Sequence, residues 1–578
     1  MTPEEKARIE IDRMLTEAGW LICNMKDANI HAGCGVAIRE FPLKTGHGEA
    51  DYLLYVEGQA AGVVEAKPVG HTLSGVEIQS DKYRNGLPDS LPACFRPLPF
   101  CYQLTGVETC FTNGLDPAPR SRPIFSFHRP ETLAAWIDDS ASEKGVAAEQ
   151  SAHWTPLTYR SRLRNMPSLH EEGLWPAQFK AITNLEKSLA TDRPRSLVQM
   201  ATGSGKTFTA VSFIYRQLKF AGARRVLFLV DRANLGRQTL KEFQQYQSPY
   251  TPYKFTEEYI VNHLQSSRLD STARVCICTI QRLYSILRGE EMATELEEES
   301  LFDHESLFRE PPPVVYNPAI PPETFDLIVT DECHRSIYNL WRQVLEYFDS
   351  FLVGLTATPN KQTFGFFSRN LVMEYGHEQA VADGVNVNYD VYRIRTKITQ
   401  GGSTVEAGHY VDRRERETRA VRWERLDEDL SYEANQLDRD VVAVDQIRTV
   451  VKTFRDKVLT EIFPGRTWVP KTLIFAKDDS HAEDIVRTVR EEFGKGNDFC
   501  QKITYRTTGA KPEDLIASFR TSPMPRIAVT VDMIATGTDI KPLECVFFMR
   551  MIRSRSFFEQ MKGRGVRVIN DTDLQAVT

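Results

Sequence analysis

The sequence has no CxxC pair. Its ten cysteines are scattered, and the closest two, Cys276 and Cys278, alternate across an apolar run. Zinc ribbons and disulfide frameworks need paired spacings, so both are argued against and buried free thiols are expected. No run of about 18 apolar residues occurs, so no segment is suited to cross a bilayer as a helix. The opening Met1-Thr2-Pro3-Glu4-Glu5-Lys6 lacks the apolar stretch of a secretory signal, and a cytoplasmic chain without membrane attachment is expected. Basic charge is not in excess either. The formal net charge is −7, which gives no overall footprint for nucleic acid, although a motor on DNA can confine its positive charge to a channel.

What is present is an ordinary globular balance over 578 residues, 41% hydrophobic and 26% charged. That much apolar surface excludes disorder over the whole chain and supports several domains. Three regions separate by pattern: 1–150, 151–387 and 388–578. The first opens with an amphipathic helix ending near Gly19, with Ile9, Met14 and Leu15 toward a core. Extended stretches follow at Asp51–Val56 and Gly62–Lys67. Asp138–Ser151 reads as a linker or exposed helix end. The second region alternates helical patterns with apolar runs at 196–200, 225–230, 275–279, 325–329 and 351–355. Those are strands of a parallel sheet covered on both faces. Glu290–Pro322, acidic and then carrying Pro311-Pro312-Pro313, reads as a surface insertion. The third region repeats the alternation, with runs at 472–476, 502–505, 527–531 and 545–549. Before it lies Thr396–Asp440, with Arg413, Arg414, Arg416, Arg419, Arg422 and Arg425. It is expected to be a solvated loop whose glutamates balance the arginines, with contact to a DNA backbone as the alternative.

Chemistry concentrates at three places. A strand ending near Met200 runs into Ala201-Thr202-Gly203-Ser204-Gly205-Lys206-Thr207 and then a helix. Small residues let backbone amides close around a polyphosphate. Lys206 reaches the terminal phosphates and Thr207 can ligate magnesium. The strict motif has glycine where Met200 stands. Downstream, the strand Asp326–Thr330 delivers adjacent carboxylates, Asp331 and Glu332, to its carboxyl end. Asp331 would hold magnesium and Glu332 would orient and deprotonate the attacking water; a capping pair is the bland alternative.

Met200–Thr207, Asp331-Glu332-Cys333-His334 and Thr356-Ala357-Thr358-Pro359 resemble motifs I, II and III of superfamily 2 helicases and translocases. Val529–Ile540 resembles motif V, and Gln560-Met561-Lys562-Gly563-Arg564-Gly565-Val566-Arg567 resembles motif VI. The resemblance implies two RecA-like parallel-sheet lobes. The first holds ATP through Thr202, Gly203, Ser204, Gly205, Lys206, Thr207 and Asp331. The second supplies Gln560 and the arginine fingers Arg564 and Arg567 to the developing negative charge, an effect commonly worth about 10³ or more in rate. Trp175-Pro176-Ala177-Gln178 matches the adenine-reading segment, with Gln178 as the amide contact. Thr356 and Thr358, expected in an exposed turn, and Thr536 and Gly537 would couple nucleotide state to the DNA path.

In the first region Asp51 precedes Glu65-Ala66-Lys67. Alternation on a strand puts Glu65 and Lys67 on one face. If Asp51 ends the neighbouring strand, it and Glu65 can share a magnesium ion while Lys67 steadies the attacking hydroxide; a surface salt bridge is the plain alternative. The arrangement resembles the D-x(n)-E-x-K core of PD-(D/E)xK nucleases, flanked by Gly48 and Pro68. Gln79 and Tyr83 form a Q-x3-Y element like the DNA-orienting helix of one subgroup.

Such a nuclease before a superfamily 2 motor resembles the restriction (motor and nuclease) subunit of type I restriction-modification enzymes. The implied activity is ATP-driven translocation of double-stranded DNA followed by magnesium-dependent cleavage away from the recognition sequence. Methyltransferase and specificity subunits of the same system would supply recognition. Motif VI ends close to Thr578, so the chain is expected to be a fragment or a truncated protein without the region that docks onto the methyltransferase. Two other readings stay open: a repair-type helicase-nuclease with no methyltransferase partner, and a nucleotide-gated DNA-binding fragment that does not turn over alone.

Overall fold

The computed structural model describes residues 3–67, 82–105, 108–142, 158–266, 268–289, 313–336, 340–394, 403–405, 410–414, 421–425, 430–432, 444–504, 507, 511–531, 540–552 and 555–578. The chain falls into two compact units. Residues 1–200 and 205–375 form the first, and 201–204 with 376–578 form the second.

The first unit contains two seven-stranded sheets. The N-terminal sheet follows chain order through β1 Leu21–Asn24, β2 Gly35–Pro42, β3 Glu49–Val56, β4 Gln59–Ala66, β5 Phe100–Leu104, β6 Thr109–Asn113 and β7 Arg122–Ile124. β2, β3 and β4 form an antiparallel meander, and β5 then runs parallel to β4. The helix Pro3–Glu17 packs against this sheet, and the pattern differs from expectation by one position. Ile11 and Leu15 are fully buried, whereas Ile9 is 56% exposed. Positions 11, 15 and 18 form an i, i+4, i+7 stripe, which Ile9 cannot join.

The second sheet is parallel throughout. Its strands are β8 Arg195–Met200, β9 Val226–Val230, β10 Val261–His263, β11 Val275–Thr279, β12 Leu327–Thr330, β13 Phe351–Thr356 and β14 Leu371–Tyr375, in the order β10-β11-β9-β12-β13-β8-β14. The central strands are buried along their whole length, which is why they read as continuous apolar runs. The edge strands β10 and β14 are partly exposed and carry polar residues, so periodicity did not reveal them. Residues 290–312 of the acidic insertion lie outside the described residues. Its end, however, is core: Val314 and Ile320 are buried with Phe325.

In the second unit β15 Ser403–Val405 pairs with β18 Leu430–Tyr432, and β16 Tyr410–Arg414 pairs with β17 Val421–Arg425, both antiparallel. The arginine-rich stretch is therefore not a loop where it is described. Arg413 stands opposite Arg422 in a ribbon, while Arg416 and Arg419 lie outside the described residues. The parallel sheet beyond it comprises β19 Thr472–Phe475, β20 Cys500–Lys502, β21 Ile527–Thr530 and β22 Cys545–Phe548, ordered β20-β21-β19-β22. β20 begins two residues earlier than its apolar run suggested, because Cys500 enters the core at the sheet edge. The ten cysteines are thiols with no disulfide between them, and five of them are buried.

Candidate active sites

β8 ends at Met200, whose side chain is fully buried, with Thr209 Oγ1 4.0 Å from its sulfur. The turn that follows needs left-handed backbone at Gly203 (φ +94°) and Gly205 (φ +76°). Gly205 then caps the helix Lys206–Lys219. The loop so presents successive backbone amides at a helix N-terminus, an arrangement that suits an anion. A Cβ on Gly205 would run into the amide of Gln178. Gln178 is buried, and its Oε1 accepts from Trp175 N (2.9 Å), so part of the amide caps its own helix Pro176–Ala190. Ser204 Oγ donates to Ala201 O (2.7 Å), and Lys206 Nζ lies 3.4 Å from Met200 O. Thr207 follows in the first helical turn.

β12, two strands away from β8 in the same sheet, ends in Asp331 and Glu332. Asp331 N donates to Leu229 O on β9 (2.9 Å), and Glu332 N donates to Asp331 Oδ1 (3.0 Å). Glu332 has φ +48°, left-handed backbone on a non-glycine residue. Burial, with Glu332 alongside, raises the Asp331 carboxyl, and Lys206 opposes the rise. His334 Nδ1 lies 3.5 Å from Glu332 Oε2 and 3.0 Å from Thr356 Oγ1, which also accepts from Thr358 N (3.1 Å). Thr356 is therefore not in an exposed turn. It is fully buried as the last residue of β13, while Thr358 is half-buried. The strand carries Thr356 into the sheet before the chain turns at Pro359. The sequence attaches no role to His334; its position between Glu332 and Thr356 gives it one.

In the second unit the helix Arg555–Lys562 precedes Arg564 and Arg567. Gln560 and Arg564 are buried, and Arg567 bridges to Asn386. Asn386 Nδ2 donates to Thr202 O (3.0 Å), and a Cβ on Gly203 would strike the Arg567 guanidinium. Nothing in the sequence singled out Asn386. Thr536 and Gly537 lie outside the described residues.

In the N-terminal sheet β3 and β4 pair Tyr52 with Val64. The next positions, Asp51 and Glu65, are thus opposite one another, and Ala66 N donates to Asp51 Oδ2 (2.8 Å). Lys67 Nζ meets Glu65 Oε1 at 2.6 Å, with Glu65 buried to 1% exposure. Burial raises the Asp51 carboxyl above its ordinary value. Tyr83, in the helical turn 82–85, is buried beside Gly48 and adds to the field at Lys67; Gln79 lies outside the described residues. Buried Gln103 on β5 is in register with Glu65, a neighbour that only the parallel pairing discloses.

Two family models match parts of this chain. Residues 172–361 match the family described as "Type III restriction enzyme, res subunit", and residues 455–569 match "Helicase conserved C-terminal domain". The two parallel-sheet domains are RecA-type lobes of the helicase class. The chain is, more narrowly, similar to the endonuclease subunits of type I restriction enzymes. It is 27% identical to the EcoKI endonuclease subunit of Escherichia coli K12, over 98% of this chain and 50% of that one. It is 28% identical to the EcoAI subunit of E. coli, over 68% of this chain and 44% of that one. The chain thus spans about half the length of the curated relatives it matches. A solved HsdR fragment from Vibrio vulnificus YJ016 aligns with 100% of this chain and 92% of its own at 20% identity, with a TM-score of 0.44. No helix among the described residues is long and apolar enough to cross a membrane.

Proposed function

We propose that this chain is the motor and nuclease subunit of a type I restriction enzyme. It hydrolyses ATP to translocate double-stranded DNA, and it cuts that DNA with a magnesium-dependent nuclease, while methyltransferase and specificity subunits supply recognition. In this reading residues 1–150 are the nuclease, 151–387 the first motor lobe and 388–578 the second. The observation that carries it is the presence, in one parallel sheet, of a glycine-turned phosphate loop after β8 and a half-buried acidic pair after β12.

In the motor, backbone amides of Gly203–Lys206 and the Lys206 ammonium hold the phosphates. Glu332 takes the proton of the attacking water, steadied by His334. Arg564 and Arg567 neutralise charge that develops on the transferred phosphoryl group. A half-buried pair of adjacent carboxylates favours a hard cation, so Thr207 and Asp331 fit Mg2+. In the nuclease, opposed Asp51 and Glu65 are two hard oxygen donors. Magnesium sites commonly use one or two carboxylates and complete the shell with water and phosphate, which fits this pair. Bound at either place, the cation neutralises negative charge on phosphate oxygens. Lys67, held by Glu65, orients the incoming hydroxyl, and Tyr83 shapes the wall beside it.

Two measurements test the reading. Lys206→Ala is expected to lower DNA-stimulated phosphate release by roughly 10²-fold or more, since positioned electrostatic groups commonly carry that much. Undiminished turnover would reject the motor. Tight ATP binding by the unaltered chain with no steady-state hydrolysis would favour a nucleotide-gated module instead. Lys67→Ala is expected to abolish nicking in the assembled enzyme and to leave ATP hydrolysis unchanged. Equal loss of both activities would contradict separate sites.

A further inference from the structure

A buried charged network joins the N-terminal sheet to the first motor sheet, and neither active site described above uses it. Asp349 lies just before β13. Arg122 of β7 grips it in a two-pronged contact, Nε to Oδ1 at 2.7 Å and Nη2 to Oδ2 at 2.8 Å. His128 Nε2 lies 3.0 Å from the same Oδ2. The other ring nitrogen, Nδ1, is 2.8 Å from Tyr102 Oη on β5, and Trp20 Nε1 donates to the His128 carbonyl (3.0 Å). His128 is fully buried and the Asp349 side chain is 8% exposed. Charges near this pair include Asp116, which lies 3.7 Å from Arg122 and 3.4 Å from Arg160, and Asp326.

Such a cluster is costly to desolvate and is not the cheapest way to glue two surfaces. Its worth is geometric, because a forked guanidinium on a carboxylate fixes distance and orientation together. The two ends of the network are the informative part. On one side Tyr102 precedes Gln103, the residue in register with Glu65, so the contact reaches the strand pair that carries the nuclease carboxylate. On the other side β13 runs from Phe351 to Thr356, roughly 17 Å of strand. Thr356 there meets His334, the neighbour of Glu332.

We propose that Asp349 is a positioning residue. It locks the nuclease sheet to the nucleotide-binding sheet through Arg122, His128 and Tyr102, and it transmits occupancy of the phosphate loop along β13 to the nuclease strands. The inference rests on the proposed motor and nuclease roles. It adds to them a rigid connection by which the nuclease is carried with the first lobe. A strand hydrogen-bonded on both sides, held at one end by a bidentate ion pair and at the other by His334, is a stiff element that both sites can bias.

The test uses the full chain and amide hydrogen exchange at residues 100–104 and 122–129, with and without a non-hydrolysable ATP analogue plus Mg2+. In the unaltered chain the analogue is expected to slow exchange at these residues by about threefold or more. In Asp349→Asn the analogue should bind within about twofold of the original affinity, because Asp349 does not face the loop, yet the slowing should disappear. Without nucleotide, the same variant should exchange about tenfold faster at 122–129, the scale of one lost charged hydrogen bond. Arg122→Lys, which keeps the charge and loses the fork, should fall between the two; it also covers the case in which Asp349→Asn does not fold. Unchanged exchange in both variants overturns the joint. Nucleotide-dependent slowing that persists in Asp349→Asn overturns the transmission. An unaltered chain that binds no nucleotide overturns the motor reading itself, and the nucleotide-free comparison then still decides the joint.

Discussion

At the scale of the residue, the base proposed for hydrolysis stands on left-handed backbone. Glu332 adopts φ +48°, a conformation that costs a non-glycine residue about 1–3 kcal/mol and persists only where its surroundings enforce it. Here the enforcement is the hydrogen bond from its own amide to Asp331 Oδ1 and the hold of Asp331 on β9. The Glu332 side chain reaches His334, with Oε2 3.5 Å from Nδ1. Glu332→Gln keeps size and polarity but cannot take a proton. Its expected effect is a loss of about 10²–10⁴-fold in hydrolysis with nucleotide binding retained. Phosphate release together with a fluorescent-nucleotide titration separates the two, and a variant that turns over normally removes Glu332 as the base.

At the scale of the element, the departure from the strict phosphate-loop pattern has a packing cause. Met200 is the last residue of β8, with no exposed surface, against Thr209 of the following helix. Its long apolar side chain closes the core beneath the loop, a task glycine cannot do. Met200→Ala is therefore expected to destabilise the first unit by about 2–5 kcal/mol. Met200→Gly, which restores the strict motif, should cost more, since it adds strand entropy to the same cavity. Thermal unfolding measured with and without nucleotide reads both. A stabilised glycine variant would show that the loop, and not the core, sets this position. β13 makes a related point: a Cβ on Gly354 would run into Phe367 Cζ and lie 2.8 Å from Cys333 Sγ, so any larger residue there must displace both side chains.

At the scale of the whole molecule, the joint at Asp349 sets an acid limit. Burial acts to raise this carboxyl, but Arg122 and His128 outweigh it and hold the group well below the ordinary carboxylate range. A carboxyl depressed on folding contributes stability that is fully present above its unfolded value, about 3.9, and is lost as pH falls from there through the folded value. The first unit is thus expected to lose stability steeply below about pH 4, and Asp349→Asn should flatten that slope while lowering stability at neutral pH. Thermal midpoints across the acid range check it. Parallel slopes for the two proteins would show that other carboxyls carry the acid limit.

The central strands of both parallel sheets, the glycine turn at Gly203 and Gly205, and the acidic pair after β12 were legible in the sequence. Each depends on neighbours within a few positions: apolar runs, small residues and strand ends. The pairing of Glu65 with Lys67 was legible for the same reason, since a strand has a period of two. What the sequence left open needed distant segments. Edge strands β10 and β14 carry too little apolar signal, and the choice of Ile11 over Ile9 depends on which stripe meets the sheet. Asp349 and Arg122 are 227 positions apart, and each alone is an unremarked charge. Local sequence determined what each element is and which chemistry it can carry. Only tertiary packing decided which buried charges meet, because the cost of desolvating an ion is set by partners that the chain brings together when it folds.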